Sequence, residues 1–99
     1  MTAVRKKLSE RQVEAHLVAT CKAHGIDARK FTSPGHRAVP DRILLIPGGK
    51  VAFVECKAPG KKATLPQLRE HAKLRRLGFL VYVVDNLEWI DATIPVFLR

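Results

Sequence analysis

Two apolar runs, Ile43-Leu44-Leu45-Ile46 and Val51-Ala52-Phe53-Val54, flank Pro47-Gly48-Gly49-Lys50. This is the feature that most restricts the fold. Apolar runs of this length around a Gly-Gly turn read as a β-hairpin. Neither run alternates cleanly with polar residues, so both strands are expected in the middle of a sheet, buried on two faces. The chain must therefore supply cover for both sides of that sheet.

The rest of the sequence offers that cover. Ser9 and Gln12 fit a capping box, and Val13, Leu17 and Cys21 recur at a spacing of four. They predict a helix from about Ser9 to about His24, with Gly25 as its C-cap. Ile26 to Phe31 reads as an edge strand. Thr32 to Pro40 reads as an irregular loop, from its Ser33-Pro34-Gly35 and Pro40. Thr64, Pro66 and Gln67 start a second helix that stops at Gly78. Leu65, Leu68 and Ala72 share one of its faces and are expected to be covered. Leu74 and Leu77 lie off that face. Phe79 to Val84 is an apolar strand, and hairpin, helix, strand in that order implies a parallel crossover within a mixed sheet. Leu87 to Asp91 is expected to be helical and Val96-Phe97-Leu98 a final short strand. With 99 residues there is room for one domain, of order α-β-β-β-α-β. Its core spans about 9–84, and 85–99 form a C-terminal cap.

Charge narrows the partner. The chain carries 18 Lys+Arg against 9 Asp+Glu, a formal net charge of +9. Residues 28–84 alone hold 12 and 3. Such an excess on a small body attracts polyanions, with nucleic acid the first partner and an anionic membrane surface the second. No apolar run approaches the ~20 residues that cross a bilayer, so no spanning helix is expected; nucleic acid is taken as the partner and no membrane. Met1 to Leu8 is basic without an apolar stretch, so no secretory signal is read and a cytoplasmic location is expected. Cys21 and Cys56 form no CxxC pair and are expected as small buried hydrophobes. His16, His24 and His71 have no spacing that suggests a zinc site.

Chemistry concentrates in Pro40-Asp41-Arg42 and Glu55-Cys56-Lys57. The hairpin folds its two open ends together, so Asp41, Glu55 and Lys57 meet at one edge of a buried sheet. Adjacent carboxylates repel there, and burial raises their pKa values. A divalent cation relieves that repulsion, and Mg²⁺ takes one or two carboxylates together with substrate phosphate. Residues i and i+2 of a strand share a face, so Lys57 projects beside Glu55. There it can hold an attacking water or stabilise charge on a phosphate. The geometry makes one demand. A two-residue Gly48-Gly49 turn would set Asp41 opposite Cys56, on the wrong face. A shared site needs an odd-length loop, a bulge, or a bend at Pro40. Read alone, an E-x-K is more often an ion pair across a strand than a site.

Pro40-Asp41 followed by Glu55-Cys56-Lys57 resembles the motif of the PD-(D/E)xK nuclease superfamily. More closely, the chain resembles a small, stand-alone phage-type member of the virus-type replication-repair nuclease (VRR-NUC) family. The likeness also rests on Glu14, Lys30 to Gly35, Val39 to Arg42, Phe53 to Gly60, and Gln67 with His71. It covers about Glu10 to Val84. Two positions depart from the pattern: Ala38 stands where a glycine is common, and Cys56 where an aliphatic residue is common.

The resemblance implies a restriction-endonuclease-like α/β core, a mixed sheet flanked by helices. It implies Mg²⁺, with Mn²⁺ substituting, and hydrolysis of phosphodiester bonds. Asp41, Glu55 and Glu14 would be metal ligands together with the Cys56 backbone carbonyl, Lys57 the catalytic lysine, and Gln67 a supporting residue. Read from the residues alone, Gln67 is accounted for by helix capping and Glu14 by a solvated helix face. Family members of this size resemble dimeric nucleases that cut branched DNA such as Holliday junctions, in replication, repair or recombination. A bacterial or phage-infected cell is the implied setting. Flanking the site, His36, Arg37, Arg42, Lys61 and Lys62 are expected to contact DNA phosphates. Leu74, Leu77 and Trp89 are candidates for a homodimer interface. The alternative is a non-catalytic basic module that binds nucleic acid. A restriction-type enzyme is a third possibility, disfavoured because so short a chain leaves little room for an element that reads sequence in a major groove.

Overall fold

The computed structural model describes residues 7–99; the basic segment at 1–6 lies outside the described residues. The first helix, α1 (Glu10–Ala23), starts at Ser9, whose capping box with Gln12 is fully formed. Strand β1 (Asp27–Lys30) follows, then β2 (Arg42–Ile46) and β3 (Lys50–Cys56). Helix α2 (Leu65–Arg76) opens on a second complete capping box, Thr64 with Gln67. Strand β4 (Leu80–Val84), helix α3 (Leu87–Thr93) and a 3₁₀ turn at Ile94–Leu98 complete the chain. Among the described residues no helix is long and apolar enough to cross a membrane.

The four strands lie in chain order, β1-β2-β3-β4. The first two pairings are antiparallel, and β3 pairs with β4 in parallel through the α2 crossover. Alternation along the strands then sorts the side chains. One face carries Leu44, Ile46, Ala52, Val54, Cys56 and Val84. With Val13, Leu17 and Cys21 of α1 and Ile90 and Ile94 beyond β4, these form the core. The other face carries Ile43, Phe53, Glu55 and Val81, and α2 crosses it. An aromatic chain of Phe31, Phe53 and Phe79 lies on this second face, with ring centroids 5.2 and 5.4 Å apart.

Expectation and structure part company in four places. Burial on both faces holds for β3, buried from Ala52 to Cys56, but β2 alternates between buried and half-buried residues. The second face is thinly covered, because α2 contributes only His71 as a fully buried residue. For the same reason Leu65 and Leu68 of the face expected to be covered are 63% and 47% exposed. Val96-Phe97-Leu98 is not a strand. It continues from α3 as a 3₁₀ turn with Pro95 in its first turn, and Phe97 stacks against Tyr82 with centroids 5.8 Å apart. Trp89 also packs on Tyr82 at 5.1 Å and so belongs to the core rather than to an open interface. Leu74 is half-buried, whereas Leu77 is 74% exposed.

Candidate active site

The hairpin loop has three residues. Ile46 pairs with Lys50, leaving Pro47, Gly48 and Gly49 as the connection. Gly48 and Gly49 have φ of 89° and 77°, a region costly for any residue with a Cβ. The odd length meets the geometric demand on Asp41. Arg42 stands opposite Val54, so the next position outward sets Asp41 level with Glu55, on one face. Asp41 is fixed at two points. Its carbonyl accepts from the Phe31 N–H at 2.9 Å, and its Oδ2 accepts from the Cys56 N–H at 2.8 Å. The carboxylate thus closes the hairpin where a main-chain rung would otherwise stand.

Glu55 is only 2% exposed. Burial pushes its pKa from an ordinary 4.5 up to about 8; the charge of Asp41 and a hydrogen bond with it add to the rise, and the Lys57 ammonium partly offsets it. Glu55 therefore keeps its proton at neutral pH when no cation is bound. Lys57 is half-buried, two positions along β3 from Glu55, and its N–H extends the β3–β4 ladder to the Val84 carbonyl at 2.9 Å. Glu10, at the start of α1, adds to the negative potential on Glu55.

No protein-family model matches the chain. Over 79 residues it is 53% identical to the protein named "Putative nuclease p44" of Acyrthosiphon pisum secondary endosymbiont phage 1, covering 80% of this chain and 85% of that one. A solved structure described as a VRR_NUC domain matches with a TM-score of 0.80 and 32% identity, over 87% of this chain and 94% of the other. The chain belongs to the VRR-NUC family.

In this VRR-NUC domain the remaining candidate residues fall into separate groups. Glu14 does not join Asp41 and Glu55. Its Oε2 accepts from Arg42 Nε at 2.8 Å, with the two side chains 19% and 16% exposed. Among the described residues no three His, Cys, Asp or Glu side chains converge as a metal cluster. The physical reason is strand alternation: Arg42 points to the α1 face, away from Asp41, and holds Glu14 there. Arg42 also lies 3.4 Å from the Ala28 carbonyl through Nη1. As a phosphate contact it is therefore partly spent. Gln67 serves its capping box, its Oε1 accepting from the Thr64 N–H at 2.9 Å. The Cys56 side chain is buried in the core with its thiol pushed up to about 12, chiefly by burial. Only its backbone faces the site. His36, Arg37, Lys61 and Lys62 are all exposed on the two loops that flank the carboxylate pair.

Three features of the surroundings come from the structure. Arg11 and Lys30 join Glu14, Ala15 and Arg42 around an open depression of about 500 Å³, widening the cationic surface at this end of the sheet. Ala38, where family members commonly have glycine, sits at φ 65°. That left-handed backbone turns the chain into Pro40-Asp41, so the departure from pattern marks a strained position. Third, His71 of α2 is fully buried beneath Glu55, Nε2 lying 3.8 Å from Glu55 Oε1. Among the described residues neither ring nitrogen nor that carboxylate oxygen has a hydrogen-bond partner. Burial, then the Arg75 charge, lower the His71 pKa. The family likeness named Gln67 with His71, and their spacing of four places both on one helix face, but neither shows that His71 turns in beneath Glu55.

Proposed function

We propose that this protein is a Mg²⁺-dependent, structure-specific endonuclease that hydrolyses phosphodiester bonds in branched DNA such as four-way junctions. The carrying observation is the level pairing of Asp41 and Glu55 at one buried sheet end, with Lys57 beside them. The donor set suits the ion. Two adjacent carboxyls set level on one face match the one or two carboxylates by which Mg²⁺ is usually held. Asp41 and Glu55 would hold it, and the Cys56 carbonyl is positioned by the same stretch of backbone. Glu14 would join them only by leaving Arg42. When bound, the ion supplies charge neutralisation on the phosphate and lowers the pKa of water. Mn²⁺ is expected to substitute.

The chain's own residues do the rest. The Cys56 N–H holds Asp41 in one orientation. Lys57 sits where its ammonium can position the attacking water or stabilise charge developing on the phosphate. Lys61, Lys62, His36 and Arg37 fix the register of the DNA through phosphates, without reading bases. Shape rather than sequence is then what is recognised, as befits replication, repair or recombination intermediates.

A homodimer is part of the same proposal. Two cuts on a symmetric junction call for two-fold related sites. Leu65, Leu68, Leu77, Leu80 and Val83 are 38–74% exposed along α2 and β4. Exposed apolar side chains of this kind fit a second copy of the chain. A monomeric mass in solution at micromolar concentration would remove this part.

The test incubates labelled four-way junction and linear duplex with the protein in Mg²⁺ or EDTA. Mg²⁺-dependent cleavage that favours the junction is expected. Lys57→Ala is expected to abolish it while DNA binding stays within about tenfold, roughly 1.4 kcal/mol. Full cleavage by Lys57→Ala refutes the mechanism, cleavage in EDTA refutes the metal, and equal rates on both substrates refute the preference for branches.

A further inference from the structure

We propose that His71 is a positioning residue for the metal site, donating its Nε2–H to Glu55 Oε1 so that the other face of the Glu55 carboxylate is presented to the cation. The proposal rests on the metal reading above and assigns a role to a side chain outside the ligand set.

Three observations carry it. His71 is 0% exposed and comes from α2, which crosses the sheet face that bears Glu55. Among the described residues both its ring nitrogens lack a partner, as does Glu55 Oε1, and of these Nε2 and Oε1 lie 3.8 Å apart. Buried polar groups are nearly always paired, so three together mark an arrangement completed in another state of the site. The separation exceeds a hydrogen bond by less than 1 Å, within reach of a small side-chain rotation. An ionised Glu55 gripping a cation has one oxygen turned inward, and that oxygen requires a donor.

The neighbours leave His71 as that donor. Arg75, one turn further along α2, gives Nη2 to the Val81 carbonyl at 2.7 Å. Lys57 lies close enough to act on Glu55 through its charge, yet Oε1 has no hydrogen bond from it. Asp41 is held by the Cys56 N–H. Groups that orient a metal ligand from behind typically matter tenfold or more in metal affinity.

The experiment measures Mn²⁺ affinity by calorimetric titration of the full chain in wild-type, His71→Leu, His71→Gln and His71→Asn forms, with thermal midpoints taken in EDTA. His71→Leu is expected to bind Mn²⁺ about tenfold more weakly, with a metal-free midpoint equal to or above wild type. Gln places an amide nitrogen near the position of Nε2 and is expected to stay within threefold of wild type. Asn places it near Nδ1 and is expected to behave like Leu. A merely structural histidine predicts the opposite: a lower midpoint and unchanged affinity. Unchanged Mn²⁺ affinity in folded His71→Leu overturns the proposal, and so does equal loss in Gln and Asn. Should His71→Leu not fold, the Gln and Asn pair decides alone. Absence of Mn²⁺ binding by the wild-type protein refutes the metal reading itself, an outcome distinct from a wild type that binds and a His71→Leu variant that matches it.

Discussion

Replacing Glu55 by Gln should make the metal-free protein insensitive to pH where the wild type is not. In the fold this carboxyl keeps its proton to about pH 8, whereas its ordinary pKa is 4.5. Between those values the unfolded chain has released the proton and the folded chain has not. Stability therefore falls as pH rises, by up to about 1.4 kcal/mol per pH unit for one proton. His71 works in the other direction at lower pH. Its depressed pKa means the unfolded ring takes up a proton first, so its part of the stability is lost as pH falls below about 6.5. The window from pH 6.5 to 8 thus isolates the carboxyl pair. Across it the wild type should lose about 1.5 kcal/mol, the slope flattening as pH nears 8. Glu55→Gln, whose amide can still donate to Asp41, should lose almost none. Urea unfolding in EDTA at the two pH values measures both, with a wild-type midpoint shift on the order of 1 M. An equal shift in the two proteins, or a wild type that gains stability over this window, would refute the assignment of a retained proton to Glu55. Mg²⁺ should reverse the wild-type trend, since the ion competes with that proton.

Other perturbations test the frame around the site. Glu14→Ala leaves the mostly buried Arg42 guanidinium unpaired and should cost about 2 kcal/mol in urea unfolding, less than for a fully buried pair; no change would show that water already screens the pair. Ala38→Gly relieves a left-handed alanine and should stabilise by about 1 kcal/mol, offset partly by the entropy of glycine; a loss of stability would mean the Ala38 methyl packs usefully. Lys61→Ala and Lys62→Ala should each lower the salt dependence of DNA binding by about one unit of log–log slope, in binding measured across a salt series. An unaltered slope would place the DNA elsewhere.

Much of the fold was legible because it rests on local rules. Two capping boxes set where α1 and α2 begin, and both are present. The Gly48-Gly49 pair marked the hairpin, and the crossover from β3 to β4 followed from the order of the elements. The acid pair and the lysine could be named because residue type and order carry them. Which helix face is covered was not legible. Leu65 and Leu68 have the spacing of a buried stripe, but the direction in which α2 crosses the sheet turns His71 inward instead. Nor could spacing show that Arg42 is held by Glu14, because alternation sends Arg42 to the opposite face from its neighbour Asp41.

The sequence by itself determined the sheet, its two flanking helices, the cationic surface and the identity of the acids and lysine at its end. Only the tertiary structure decided how they meet. A loop of three residues rather than two puts Asp41 and Glu55 on one face. A shift of one residue in a strand reverses every side chain, so a single turn residue separates a facing carboxylate pair from two unrelated carboxylates. The buried histidine beneath them follows from packing between elements distant in the chain, which no local pattern encodes.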